Sequence, residues 1–225
     1  MNIRWLLGSA ILVALMAGCA NNKAQQASTS APAAGSELDH AKTPPITAKT
    51  HFAAGQLAES QGDLPTAIAQ YQKALSLDPK YADAMFRLGC VQTAARDFPK
   101  AIDTWNRYVA LTQGSATACN NLAFCQELAG NPIAAESAYR KGIERDPTNE
   151  PCHVNYGLML ARHGRPNEAL LQLQSVLPPA KAHYDLASAY EQSGHKQEAK
   201  AEYAKALELD PNLEDAKAKL ASLDQ

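Results

Sequence analysis

An excess of either charge is lacking in this chain of 225 residues, in which 21 Lys and Arg stand against 23 Asp and Glu. A protein that grips a polyanion by electrostatics carries a basic excess, so nucleic acid is disfavoured as a partner. Cysteine is scarce at five residues, with no CxxC spacing, which argues against haem attachment and zinc ribbons. No nucleophile elbow, phosphate loop or His-Glu metal motif occurs anywhere in the chain, so no catalysis, cofactor or small-molecule substrate is expected. Nor does any apolar run reach the roughly 20 residues that a bilayer span requires.

What remains is 46% hydrophobic and rich in Ala, Leu, Gln, Glu and Lys, all good helix formers, with 13 prolines that cluster between elements. The composition reads as all-α. One phrase betrays the organisation: AIAQYQKALSLDP at 67–79 returns as AKAEYAKALELDP at 199–211. Weaker copies stand between them, beginning at Ala101, Ala135 and Ala169, at three steps of 34 and one of 30. Twelve residues before each of these alanines lies another small residue: Gly55, Gly89, Ala123, Gly157 and Ala187. Paired small residues let two helices approach, while Tyr71, Trp105, Tyr139 and Tyr203 fill the space one turn on. Gly62, Gly130, Gly164 and Gly194 mark the turns between helices, and Asp78-Pro79, Asp146-Pro147 and Asp210-Pro211 stop the second helix of three units. Each unit is a helical hairpin.

A helix–turn–helix of 34 residues with this pattern resembles the tetratricopeptide repeat, over about 48 to 213. The resemblance implies an all-α, right-handed superhelical solenoid of five repeats: 48–81, 82–115, 116–149, 150–179 and 180–213. Repeat two ends in Thr112-Gln113-Gly114 without the proline, and repeat four loses four residues, so a discontinuity is expected there. Residues 214–225 supply a capping helix and tail, since Glu214 to Leu223 would cover the last exposed face.

The family's concave groove is lined by the first helix of each repeat. Carried over, its fifth positions are Phe52, Phe86, Asn120, Val154 and Tyr184, and its ninth include Phe124 and Leu158. That lining is apolar enough to hold a protein or an extended peptide segment, although rings packed between neighbouring helices would give the same pattern. Asn121 and Asn155, at sixth positions, resemble the asparagine ladder by which some such grooves hold a peptide backbone. The Lys and Asn pattern that clamps a C-terminal carboxylate in chaperone adaptors is absent. His51, His153 and His183 share the fourth position, where a bulky residue faces the second helix; equivalent positions in adjacent repeats lie about 8–10 Å apart, too far to share a metal. Cys90, Cys119, Cys125 and Cys152 read as small buried thiols, with Cys119–Cys152 or Cys90–Cys125 as the alternative of a disulfide between adjacent first helices.

The N-terminus is a different text. Arg4 precedes an apolar run from Trp5 to Ala17, whose end overlaps Met16-Ala17-Gly18-Cys19, which resembles the bacterial lipobox. The resemblance implies that residues 1–18 are a lipoprotein signal peptide and that Cys19 is lipidated. Acyl chains at about 0.8 kcal/mol per buried methylene would then anchor the protein to a membrane. Resemblance to sorted lipoproteins, with Ala20 rather than Asp after the cysteine, implies the outer membrane, facing the periplasm. Residues 19–47 form the lipidated N-terminus and a tether of Ala, Ser, Thr, Gln and Pro too polar to order itself, spanning roughly 30 Å as a coil. A lipoprotein of such repeats resembles in architecture the pilotins of type IV pili and the assembly lipoproteins of tight-adherence pili. The expected function is a membrane-anchored interaction adaptor of the bacterial envelope. An adaptor for murein enzymes, or a regulatory subunit of an exported enzyme, stands as the alternative.

Overall fold

The computed structural model describes residues 46–223. The readings made of the leader, Cys19 and most of the tether concern residues 1–45 and lie outside the described residues, as does the end of the tail. Every described element is a helix: α1 (Ala48–Ser60), α2 (Leu64–Leu77), α3 (Ala82–Ala94), α4 (Phe98–Leu111), α5 (Ala116–Leu128), α6 (Pro132–Arg145), α7 (Glu150–Arg162), α8 (Pro166–Gln174), α9 (Pro179–Gln192), α10 (Lys196–Leu209) and α11 (Glu214–Leu223). The chain divides after Arg96 into two compact units, the first holding α1–α3 and the second α4–α11.

Local chemistry sets the helix ends. Thr47 and Thr50 cap α1 reciprocally, each side chain reaching the other's backbone N–H, and Asp63, Ser115 and Asn149 accept from the first turns of α2, α5 and α7. Proline opens α6, α8 and α9, where its missing N–H would have no helical partner. Asp78, Asp146 and Asp210 leave their helices in extended conformation, and each carboxylate takes the N–H two residues on, at 3.0, 3.1 and 3.0 Å. The Asp-Pro pairs are thus turns held by the aspartate as well as helix stops. Between the two helices of each hairpin the chain takes a left-handed residue. Gly130 does so at φ 80°, whereas repeat two places Arg96 at φ 59° in the equivalent position.

In the first unit, α1 and α2 form a hairpin, with α3 packed on α2. Tyr71 is fully buried against Gly55: a Cβ there would stand 2.5 Å from the ring, so the small residue is what lets the tyrosine in. In the second unit, α5/α6, α7/α8 and α9/α10 are hairpins, and each first helix packs on the one before. Gly157 meets Leu173 and the Ala169 carbonyl at contact distance, and Gly142 opens space for the Cys152 sulfur. One core runs through this stack, from Ala123 and Tyr139 through Tyr156, Leu160 and Leu173 to Leu186 and Ala189. A second forms where α11 closes the end, around Ala187, Tyr203 and Ala216.

The four residues missing from repeat four are taken from its second helix. Helix α8 has nine residues where the other second helices have fourteen, yet Leu173, Leu177 and Ala182 still join the common core. The discontinuity lies in the length of one outer helix and leaves the core continuous.

Candidate functional site

The sequence nominates the faces of the first helices, and in the second unit those are α5, α7 and α9. Phe124 and Asn121 on α5 are half-buried, as are Val154, Asn155 and Leu158 on α7. Val154 and Leu158 lean on the common core from its edge. Tyr184 on α9 is also half-buried, its ring 5.5 Å from that of Tyr203, with the Lys181 ammonium 4.4 Å above its face. Asn120, expected beside them, is buried at 8% exposure, and its side-chain carbonyl accepts from the Asn155 amide at 2.9 Å. The two-rung ladder is therefore engaged internally at Asn155, which keeps its carbonyl for another donor, while Asn121 is the half-open amide.

The first unit places the remaining two nominees by themselves. Phe52 sits 5.0 Å from the Tyr81 ring and 5.7 Å from Tyr71, as a half-buried member of an aromatic cluster. Phe86 is likewise half-buried.

Three glutamates on these helices are held by one recurring device. Glu127 on α5 takes Arg162 of α7 at 2.6 Å, with the buried Tyr139 hydroxyl 3.5 Å away on its other oxygen. Glu191 on α9 takes Lys219 of α11 at 3.1 Å and the Tyr203 hydroxyl at 2.7 Å. In the first unit, Glu59 holds the Tyr71 hydroxyl at 2.7 Å and lies 3.2 Å from Arg87 of α3. Burial, with the neighbouring glutamate adding to it, pushes the Tyr71, Tyr139 and Tyr203 hydroxyls well above the usual phenol range, so each stays a neutral donor. Glu59, Glu127 and Glu191 lie twelve residues before Tyr71, Tyr139 and Tyr203, the spacing of the small-residue series, which is the signal that could have revealed them. On α9 the Lys181–Asp185 pair closes at 2.7 Å, and burial raises the Asp185 carboxyl.

The three histidines work inside their own hairpins. His51, His153 and His183 reach Gln70, Gln172 and Glu202 of their second helices at 2.7, 3.0 and 2.6 Å, one register repeated three times. His153 also meets the Ser175 hydroxyl and the Pro147 carbonyl. The four described cysteines are free thiols. Burial pushes the Cys152 thiol up to about 12, so it remains protonated. Among the described residues, no group of three His, Cys, Asp or Glu is disposed to hold a metal.

A shallow cleft of about 300 Å³ opens elsewhere, between α6, α7 and α8, over Tyr156 and Leu160. On its margin Glu136 binds Arg140 and Arg165 at 2.7 and 2.6 Å and accepts from the Tyr156 hydroxyl. The Arg165 guanidinium holds the Glu136 carboxyl at about 2, far below the usual range.

Known proteins resemble this arrangement. Models of the tetratricopeptide repeat match residues 51–94, 83–111, 116–149 and 180–213. The crystal structure of MamA superimposes with a TM-score of 0.60 at 25% identity, covering 77% of this chain and 95% of that one. TTC0263, a thermophilic repeat protein of Thermus thermophilus, gives 0.56 at 23% identity, over 79% and 98%. YrrB, described as having an unusual peptide-binding site, gives 0.54 at 23% identity, over 76% and 91%. No curated protein sequence matches the chain.

Proposed function

We propose, from the premise that the chain is built of tetratricopeptide repeats, that it is an adaptor holding an extended, uncharged and largely apolar segment of another protein on α5, α7 and α9. Such repeats are in general non-catalytic scaffolds, and function resides in the faces they present. One observation carries the reading. Phe124 and Asn121 on α5 and Val154 and Leu158 on α7 are half-buried, while Glu127, Arg162, Lys181, Asp185, Glu191 and Lys219 are all paired internally. Away from the exposed Glu150 at the start of α7, whose charge acts on Asp185, a charged ligand side chain would lose its water without gaining a counter-charge, whereas an apolar one fills partly wetted surface.

The setting is the bacterial envelope. Cys19, after an export signal and small residues, is the acylation site, and the polar tether lets the repeats work near the outer membrane, facing the periplasm. The architecture suits delivery or assembly of a pilus or secretin subunit. Cys19→Ser releases the protein into the soluble envelope fraction; retention with the membrane in that variant contradicts the anchor.

Pull-down from membrane extracts tests the groove. Phe124→Ala combined with Asn121→Ala weakens capture at least tenfold, since truncating central anchors commonly costs about 2 kcal/mol or more. Lys141→Glu, on the exposed side of α6, leaves capture unchanged. Full recovery of the partner by a folded double variant moves the site elsewhere.

A further inference from the structure

The cleft over Tyr156 and Leu160 lies where repeat four is short. Helix α6 lines it with Arg140, Ile143 and Glu144 from its C-terminal half, and α8 with Glu168, Leu171 and Gln172. Helix α8 stops at Gln174, after nine residues where α6 runs for fourteen, so it has no further turn to set beside Ile143 and Glu144. Leu171 is 68% exposed and Ile143 half-buried, so the cleft offers apolar surface to water.

The charges around this surface do not cancel. Glu136 holds Arg140 and Arg165, and Arg165 also holds Glu168 at 2.7 Å, so two guanidiniums and two carboxylates neutralise one another. The Tyr156 hydroxyl completes the set by donating to Glu136 at 2.8 Å. Glu144 stands exposed in the lining, outside that network, and leaves the cleft one negative charge over. Lys141 and Arg145 share the adjoining face of α6. Burial raises the Cys119 thiol against the pull of the Lys141 charge, which puts Lys141 on the α5 side of the helix. A partner's cation therefore finds a counter-charge in the cleft that an anion does not, and complementarity of this kind selects which partner docks.

We propose that this cleft is a second docking surface, for a segment of another protein that sets one aliphatic side chain against Leu171 and Ile143 and a Lys or Arg beside it against Glu144. The tether has the wrong chemistry for the place. Between Ala20 and Pro45 its sole large apolar residue is Leu38, which stands between Glu37 and Asp39, both repelled by Glu144. The segment differs in charge from the uncharged one assigned to the first-helix faces, so the protein can hold two unlike segments at once. No groove residue enters the test below, and either reading can fail alone.

A benzophenone amino acid replaces Leu171 in the full-length chain in living cells, with the same residue in place of Leu209 on α10, 54% exposed, as its counterpart. The expected result is an adduct from position 171, at least tenfold stronger than from 209, that maps to a stretch of one protein where Leu, Ile, Val or Met adjoins Lys or Arg. Glu144→Lys in the same chain should cut that adduct at least tenfold with unchanged helicity. Replacing the mapped Lys or Arg of the partner by Glu should restore it in the Glu144→Lys chain. No protein adduct from position 171, equal adducts from 209, or a mapped stretch without Lys or Arg overturns the proposal. So does an adduct to a second copy of this chain, to its own residues 20–45 or to lipid, and so does an adduct indifferent to Glu144→Lys.

Discussion

Gly157→Ala sets two physical effects of opposite sign against each other. Alanine in the middle of a helix is worth about 0.5–1 kcal/mol over glycine, so α7 considered alone would be stabilised. The structure says otherwise. A Cβ on Gly157 would stand 2.9 Å from Leu173 Cγ and 3.0 Å from the Ala169 carbonyl oxygen. Leu173 is fully buried and the Ala169 oxygen belongs to a helix backbone, so neither can retreat without moving α8. Overpacking of this kind costs about 1–3 kcal/mol, which leaves a net loss of up to about 2.5 kcal/mol after the helix gain. For a chain of this size that lowers the thermal midpoint by up to about 10 °C. Circular dichroism melts of Gly157→Ala, Leu173→Ala and the double variant separate the contributions. Leu173→Ala alone costs about 2–5 kcal/mol, and in that background the added methyl should cost less, because half of its clash is gone. A raised midpoint for Gly157→Ala would refute the close approach of α7 and α8, and with it the reading of the whole small-residue series.

Two further outcomes follow from single side chains. Trp105 is 1% exposed in the second unit, so Trp105→Ala should cost about 3–5 kcal/mol and spread the unfolding over a broader transition; a midpoint within a degree or two of the parent would take Trp105 out of the core. Glu136, held at about 2 by Arg165, contributes stability that is present above the ordinary carboxylate value and lost as pH falls through its folded value. Between about pH 4.5 and 2 the parent should therefore converge on Glu136→Gln in denaturation midpoint, and parallel acid limbs would exclude the Glu136 network as a cause.

The hairpins were legible because their cause is local. A small residue at Gly55 or Gly157, an aromatic or leucine one turn after the paired alanine of the next helix, and a left-handed glycine at Gly130 each announce themselves in sequence. Arg96 shows the limit, since no propensity points to an arginine at positive φ; only the register of the neighbouring repeats does. The site was less legible, for a different reason. Asn155 meets Asn120 across 35 positions, and Arg162 meets Glu127 across the same interval, so which polar groups stay open depends on how successive hairpins stack. Pattern alone could place Phe52 on the first-helix face but could not tell that Tyr71 and Tyr81 half-cover it. The shortening of repeat four was visible as four missing residues, and its absorption by α8 was not.

The central claim is that α5, α7 and α9 receive an uncharged extended segment. A photoreactive residue substituted at Asn121 in the living cell tests it most directly, with the same residue at the exposed Lys141 as its counterpart. The expected result is adducts from position 121 that map to one stretch of a single envelope protein, a stretch poor in Lys, Arg, Asp and Glu, and few or none from position 141. Adducts that are equal from both positions, or that map to charged sequence, would contradict the account.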